Sequence, residues 1–135
     1  MTPSELILAR CQAFKDADYG LIYDSYHSQS NFMRQFPARD EYLAYARSSL
    51  GPDFSIRQCK ILAEDVGADE ARVLLLMEMT AHGAALIFVE LAWLKVEAGC
   101  WKYHRGHKMT EDDLPSDPES VRFDDFAKLD PGTIF

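Results

Sequence analysis

The sequence predicts an α+β fold in which three N-terminal helices pack on an antiparallel sheet of about four strands. Two observations predict this class. In the first 50 residues apolar side chains recur with a helical period, and from residue 54 they alternate with a period of two. The links "VGAD", "HG" and "AG" between the alternating segments are too short for crossover helices, so neighbouring strands must run antiparallel. Helices followed by such a meander are typical of helices stacked on one face of a sheet.

The helical elements are marked by capping residues. Thr2 can cap the first helix, with Pro3 at its first position and Glu5 completing a capping box. A second, short helix follows with Asp16 or Asp18 as its cap. The segment "HSQSNFMRQFP" is expected to be a loop. A third helix begins after Pro37 and is stopped by the "GP" at positions 51 and 52.

Four segments rich in valine, isoleucine, leucine and aromatic residues predict the strands: "FSIRQCKILAEDV", "EARVLLLMEMTAH", "AALIFVELAWLKVE" and "CWKYHRGHKM". Strands two and three are apolar on both faces, whereas a face in contact with water would be polar. Both faces are therefore expected to be covered, one by the helices and the other by a partner subunit or by the C-terminal segment.

The predicted organisation is one domain over residues 1–109 and an acidic C-terminal tail over 110–135. The tail holds eight acidic and two basic residues, and so carries −6 of the net charge of −8. Its apolar residues are spaced to dock on a surface of this domain or of a neighbour: Val121, Phe123, Phe126 and Leu129.

Composition excludes several functional classes. The chain has no basic patch to neutralise phosphates, so nucleic acid and anionic membranes are not expected as partners. It has no apolar run of about 18 residues and no secretory signal, which favours a cytoplasmic location.

Cys11, Cys59 and Cys100 are far apart and form no C-x-x-C pair. They are expected to be buried, reduced thiols, and no metal is expected.

The order of elements resembles the nuclear transport factor 2-like (cystatin-like cone) superfamily. This resemblance implies a curved sheet that encloses a pocket against the helices. Two segments are similar to the YchJ-like domains often found beside SEC-C motifs. The matching residues are Arg10, Ala13, Phe14, Asp18, Ser25, Tyr26 and His27 in the first segment, and Glu90, Trp93, Gly99, Trp101, Tyr103 and Gly106 in the second. The zinc-binding SEC-C motif itself is absent. Superfamily members include isomerases, dehydratases, hydrolases and binding modules, so the resemblance leaves function open.

Two residues are candidates for proton transfer. Glu90 falls in mid-strand among apolar residues, where burial would raise its pKa as a general acid or base requires. The alternative is an ion pair with Arg105 or with another base across the sheet. His27 follows the second helix, where the mouth of a cone would lie. The ordinary imidazole pKa of about 6.5 suits proton transfer. Its alternative is a hydrogen bond to a loop carbonyl. Candidate ligand-binding residues are Tyr19, Tyr23, His27, Glu90 and Tyr103.

The last strand, "CWKYHRGHKM", offers two histidines but no predicted metal site. Strict alternation places Trp101, Tyr103, Arg105 and His107 on one face and His104 on the other, so the two imidazoles cannot share a metal ion. A terminal strand with its aromatic residues packed inward is the favoured interpretation.

Three functions remain open from the sequence. The first is a module that binds a small molecule or a protein through its pocket or sheet, without a cofactor. The second is a cofactor-free isomerase or dehydratase that uses His27 and Glu90. The third is a structural dimerisation module, a homodimer through the sheet.

Overall fold

The computed structural model describes residues 1–50 and 53–135. Within these residues, helices α1 to α4 precede strands β1 to β4, and 3-10 helices follow, which confirms the α+β class. The bounds are Pro3–Lys15 (α1), Tyr19–Asp24 (α2), Asn31–Gln35 (α3), Arg39–Ser49 (α4), Phe54–Val66 (β1), Glu70–Ala81 (β2), Ala84–Glu97 (β3) and Cys100–Met109 (β4), with 3-10 helices at Pro118–Ser120, Phe123–Lys128 and Pro131–Thr133. The predicted stop of the last α-helix, at positions 51 and 52, lies outside the described residues.

Helix α1 begins as the capping residues predict. The Thr2 hydroxyl accepts a hydrogen bond from the backbone N–H of Glu5 at 3.1 Å, and the Glu5 carboxylate accepts one from the N–H of Thr2 at 3.0 Å. The cap of α2 is Asp18, whose carboxylate accepts from the N–H of Leu21 at 3.2 Å. Asp16 instead ends α1 as its C-cap.

Helix α3 corrects the sequence-based expectation of a loop and raises the number of N-terminal helices from three to four. Ser30 caps this single turn, and its hydroxyl accepts a hydrogen bond from the N–H of Met33 at 3.2 Å. The Phe32 ring stacks on Tyr26 with the ring centroids 3.7 Å apart. A short helix needs such tertiary support, because one turn is unstable alone.

The four strands form one antiparallel sheet in the order β1-β2-β3-β4. In β4 the register shifts: Trp93 of β3 pairs with Arg105, while the next residue, Leu94, pairs with Tyr103. His104 is therefore an extra residue, a β-bulge, and the strict alternation predicted for β4 is wrong. Tyr103 lies on the helix-facing side of the sheet, whereas Arg105 stacks on Trp93 on the opposite side, 4.4 Å from its ring centroid.

We call the helix-facing side of the sheet the inner face. Its core joins α1 to the strands through Leu6, Ile7, Val73, Leu75, Ala92 and Leu94, all buried. Cys11 of α1 is bonded to Cys59 of β1, which corrects the expectation of reduced thiols, and Cys100 is exposed. The pattern of the sequence could not reveal this pair, because 48 residues separate the two cysteines.

The other side, the outer face, is covered by the chain's own C-terminal segment. Val121 and Phe126 are 1% and 4% exposed and pack against a core of strand residues, namely Leu74, Leu76, Val89, Leu91 and Met109. Most apolar residues of β2 and β3 are thus shielded from water on both sides, although Leu86 of β3 is 43% exposed. Burial of side chains of this size contributes about 1.5–3 kcal/mol each. Whether residues 1–109 form a domain separate from this tail remains a prediction.

A third cluster holds the helices together, with Ala13, Tyr19, Ile22, Tyr23, Tyr42 and Ala46 buried. It sets the position of α2, and hence of Tyr19, relative to the sheet. None of the helices in the described residues has the length and apolar character needed to cross a bilayer.

Candidate functional site

A cavity of about 280 Å³ lies between the helices and the inner face of the sheet. Most of its lining is aromatic or aliphatic, and three charged side chains also reach it. The lining residues are Arg10, Phe14, Tyr19, Tyr26, Leu50, Phe54, Ile56, Met77, Met79, Phe88, Glu90, Tyr103, Lys108 and Phe135.

Glu90 is the acidic residue of this cavity. On the sheet it lies between Leu75 of β2 and Lys108 of β4. One oxygen of its carboxyl group, Oε2, accepts a hydrogen bond from the Tyr103 hydroxyl at 3.0 Å. Burial raises the pKa of the Glu90 carboxyl, and the neighbouring charges of Lys108 and Arg10 offset part of that rise. Glu90 is therefore easier to protonate than an exposed glutamate.

Tyr103 holds Glu90 in place and is itself held from two sides. Its backbone N–H donates to the carbonyl of Ser25 and its carbonyl accepts from the N–H of His27, both at 2.8 Å. Burial and the charge of Glu90 raise the pKa of the Tyr103 phenol well above its usual value, so the hydroxyl stays protonated and remains a donor. Gly106 leaves room for this hydroxyl, because a Cβ at that position would lie 2.2 Å from it.

Arg10 is a buried cation in the cavity wall. Its guanidinium donates to the hydroxyls of Ser25 and Tyr26, the latter at 3.3 Å. The group lies over the rings of Tyr26 and Tyr103, 4.6 Å and 4.1 Å from their centroids. These contacts orient Arg10, and its positive charge stays at the cavity because the guanidinium does not lose its proton.

Lys108 and Phe135 close another part of the wall. The Lys108 ammonium lies over the rings of Phe88 and Phe135, 4.8 Å and 4.7 Å from their centroids. Phe135 reaches the cavity because the end of the chain returns to β4, where its N–H and carbonyl pair with the carbonyl and N–H of Gly106 at 2.7 Å and 2.9 Å. Phe135 is 43% exposed, so this part of the cavity wall borders the solvent.

Of the five candidate ligand-binding residues, the structure brings Tyr19, Glu90 and Tyr103 to the cavity. His27 and Tyr23 do not line it. The Tyr23 hydroxyl donates to the carbonyl of Phe36 at 2.9 Å, so the ring belongs to the helical core.

His27 is turned away from Glu90, so the expected His27–Glu90 pair in one cavity is not formed. The backbone bond from His27 to Tyr103 fixes this loop, and the imidazole lies beside Glu97, with Nε2 3.9 Å from the carboxylate. Its Nδ1 accepts a hydrogen bond from the N–H of Gln29 at 3.0 Å. The expected partner of Glu90, Arg105, is on the outer face.

Eleven of the fourteen lining residues were not identified as site residues from the sequence, among them Arg10, Lys108 and Phe135. Arg10 could have been identified from the sequence, because it lies three residues after Ile7 on the apolar stripe of α1. Arginine is rarely buried unless its charge is paired, so its predicted burial indicates a specific role. Lys108 lies on the same side of the sheet as Tyr103 because of the bulge at His104, which strict alternation did not predict. Phe135 carries no local signal. Within residues 1–50 and 53–135, no group of three or more His, Cys, Asp or Glu side chains is arranged to hold a metal ion.

Residues 2–106 match the family model described as "YchJ, middle NTF2-like domain". Among solved structures, the chain is similar to the solution structure of a SEC-C motif containing protein from Rhodopseudomonas palustris. The TM-score is 0.62 at 15% sequence identity, over 78% of this chain and 77% of that chain. At this identity the likeness shows the fold alone. No curated protein matches the chain.

Proposed function

We propose that this chain, which belongs to the family of YchJ middle NTF2-like domains, is a binding module whose inner cavity holds a small organic molecule. The observation that carries the proposal is the cavity itself, an apolar space with charged groups at Arg10, Glu90 and Lys108. Ligand pockets have this composition, since apolar walls supply affinity and a few polar groups fix orientation.

The arrangement gives each end of a ligand a defined surface. Met77, Met79 and Phe88 offer an apolar wall on the sheet side. Glu90 and Lys108 are neighbours across β3 and β4, and they offer polar contacts to the other end of the ligand. Glu90 is held by Tyr103, so it would meet a ligand without first losing side-chain freedom.

A cavity-filling substitution tests this proposal. Small-molecule fragments that raise the melting temperature of the wild-type protein are collected first, since a ligand at 100 times its Kd stabilises a protein by about 2.7 kcal/mol. Met79→Trp fills the cavity and is expected to abolish these shifts. Thr80→Trp is the matched control, because the next residue of β2 points to the opposite face. Fragments that stabilise Met79→Trp as much as the wild type would contradict cavity binding.

A cofactor-free enzyme is the second candidate, favoured by a buried glutamate of raised pKa beside a phenolic donor. The version that relies on His27 lacks support, because that imidazole does not reach the cavity. In the remaining version Glu90 takes a proton from the ligand. Bound fragments would then exchange a carbon-bound proton for deuterium in heavy water with the wild type but not with Glu90→Gln. Equal exchange rates with both proteins would exclude this role.

A homodimer through the sheet and a cytoplasmic location remain predictions. The outer face is occupied by Val121 and Phe126, so a dimer formed through it has to displace residues 110–135 or use their exposed side. The molar mass in solution, measured by light scattering, distinguishes a monomer from a dimer.

A further inference from the structure

The charged groups on the cavity wall do not cancel. Arg10 and Lys108 supply two positive charges and Glu90 supplies one negative charge, so the side chains of the lining carry +1 when Glu90 is ionised and +2 when it is protonated. The Tyr103 phenol adds no charge, because its raised pKa keeps it neutral. No histidine is among the residues that line the cavity in the described part of the chain. The side chains of the cavity wall therefore carry a net positive charge.

Lys108 is the cation that remains available. Among the described residues, no carboxylate oxygen lies within 4.0 Å of its ammonium nitrogen, although Glu90 is its neighbour on β3. The ammonium lies over the faces of the Phe88 and Phe135 rings. A charge-assisted hydrogen bond from the ammonium to an anion is stronger than contacts of this kind are at partly exposed sites.

We propose that the ligand is a small carboxylate anion with an apolar body of one ring or a short chain, its carboxylate placed beside Lys108. This inference rests on the proposed binding function and adds the chemical class of the ligand. The cavity, at about 280 Å³, is just below the range of about 300–1,000 Å³ found for ligand pockets, which limits the size of the body.

The same geometry disfavours the other charge types. A cationic ligand would meet Arg10 and Lys108, and Lys108 already occupies the positions over Phe88 and Phe135 that would attract a cation. A neutral ligand would leave the net positive charge of the wall uncompensated. The Glu90 carboxylate would repel an anionic ligand. Because burial raises the pKa of this carboxyl, protonating it when an anion binds costs less free energy than for an exposed glutamate.

Three probes that share a benzene ring distinguish anionic, neutral and cationic ligands: benzoate, benzyl alcohol and benzylamine. Their Kd values for the full chain at pH 7 are measured by calorimetry or by NMR titration. Benzoate is expected to bind at least about tenfold more tightly than benzyl alcohol, and benzylamine most weakly, as unit charges a few ångströms apart in a protein interact strongly.

Charge variants show whether the preference comes from the wall. Lys108→Met keeps the apolar stem and is expected to reduce benzoate affinity to that of benzyl alcohol. Glu90→Gln is expected to strengthen benzoate binding, whereas a purely structural Glu90 would weaken the binding of benzoate and benzyl alcohol alike. Lys15→Met is the matched control, because it removes one exposed positive charge away from the cavity and should change neither affinity.

The outcomes separate this inference from the proposed function. Benzyl alcohol or benzylamine binding as tightly as benzoate would overturn the anion assignment and leave cavity binding intact. Failure of all three probes, with other fragments still blocked by Met79→Trp, would also overturn the carboxylate class alone. If no fragment is sensitive to Met79→Trp, the cavity is not a binding site and both proposals are wrong.

Discussion

Replacing Gly106 with alanine tests the packing that holds the site together. A Cβ built at this position lies 2.2 Å from the Tyr103 hydroxyl oxygen and 2.5 Å and 2.9 Å from Cζ and Cε2 of Phe135. Optimal contacts between non-bonded heavy atoms are about 3.5–4.0 Å, so one or both rings must move. Movement of Tyr103 would break its hydrogen bond to Glu90.

The expected cost of Gly106→Ala is a net loss in the free energy of unfolding of about 0.6–2 kcal/mol if Phe135 is the ring that moves, and of about 2–5 kcal/mol if Tyr103 moves. Overpacking a filled site costs about 1–3 kcal/mol, and a lost hydrogen bond to a charged group adds about 1.5–3 kcal/mol if Tyr103 is the ring that moves. Alanine also has less conformational freedom than glycine in the unfolded chain, which stabilises the folded protein by about 0.4–1 kcal/mol. The steric effect is therefore larger than the entropic one.

Urea unfolding of Gly106→Ala, Tyr103→Phe and the double variant measures this cost and its origin. Tyr103→Phe removes the oxygen that lies nearest the new methyl group. The cost of alanine should therefore fall in the Tyr103→Phe background, giving a coupling energy of about 0.5–3 kcal/mol, as residues in contact do. A Gly106→Ala protein within about 0.5 kcal/mol of the wild type, the range of ordinary surface substitutions, would refute the reasoning.

The other predictions concern the disulfide, the buried acid and the outer face. Cys11→Ser is expected to lower the free energy of unfolding under oxidising conditions by up to about 4 kcal/mol, and dithiothreitol should remove the difference; equal stability without reductant would contradict the Cys11–Cys59 bond. Because burial raises the pKa of Glu90, its contribution to stability is present below the unfolded-state value of 4.5 and is lost as the pH rises through the folded-state value. Glu90→Gln should therefore gain stability relative to the wild type as the pH rises from 4.5, and a difference independent of pH in urea titrations would be evidence against this burial. Phe126→Ala should cost about 3–5 kcal/mol because the ring is 4% exposed, and an unchanged melting temperature would show that the tail does not pack on the sheet.

Local signals in the sequence were enough for most of the fold. The Thr2 capping box defines the start of α1, and short links between the strands force their antiparallel order. Apolar residues on both faces of β2 and β3 required cover from two sides. These features depend on neighbours in the chain, so periodicity and capping rules reach them.

The features that sequence reasoning missed depend on tertiary contacts. Helix α3 has a single turn, too short for a periodic signal, and it is stabilised by the stacking of Phe32 on Tyr26. The bulge at His104 exchanges the faces of β4, and nothing in the local sequence requires an extra residue at that point.

The candidate site was predicted in part for the same reason. Glu90 stood out as a charge within an apolar strand, and the structure places it at the cavity beside Tyr103. His27 was placed by analogy with a cone mouth, but its loop is fixed by a backbone bond to Tyr103 that turns the imidazole away. The contribution of Phe135 depends on the return of the chain to Gly106, some thirty residues earlier, which periodicity cannot reveal.

The methionine methyl groups provide the most direct test of cavity binding. Of the five methionines, Met77 and Met79 line the cavity, whereas Met109 belongs to the outer-face cluster. In carbon-13 methyl spectra of the titration with benzoate, we expect the signals of Met77 and Met79 to shift in a saturable manner and that of Met109 to stay in place. Saturable shifts that are confined to Met109, or to any methionine outside the cavity, would contradict the account.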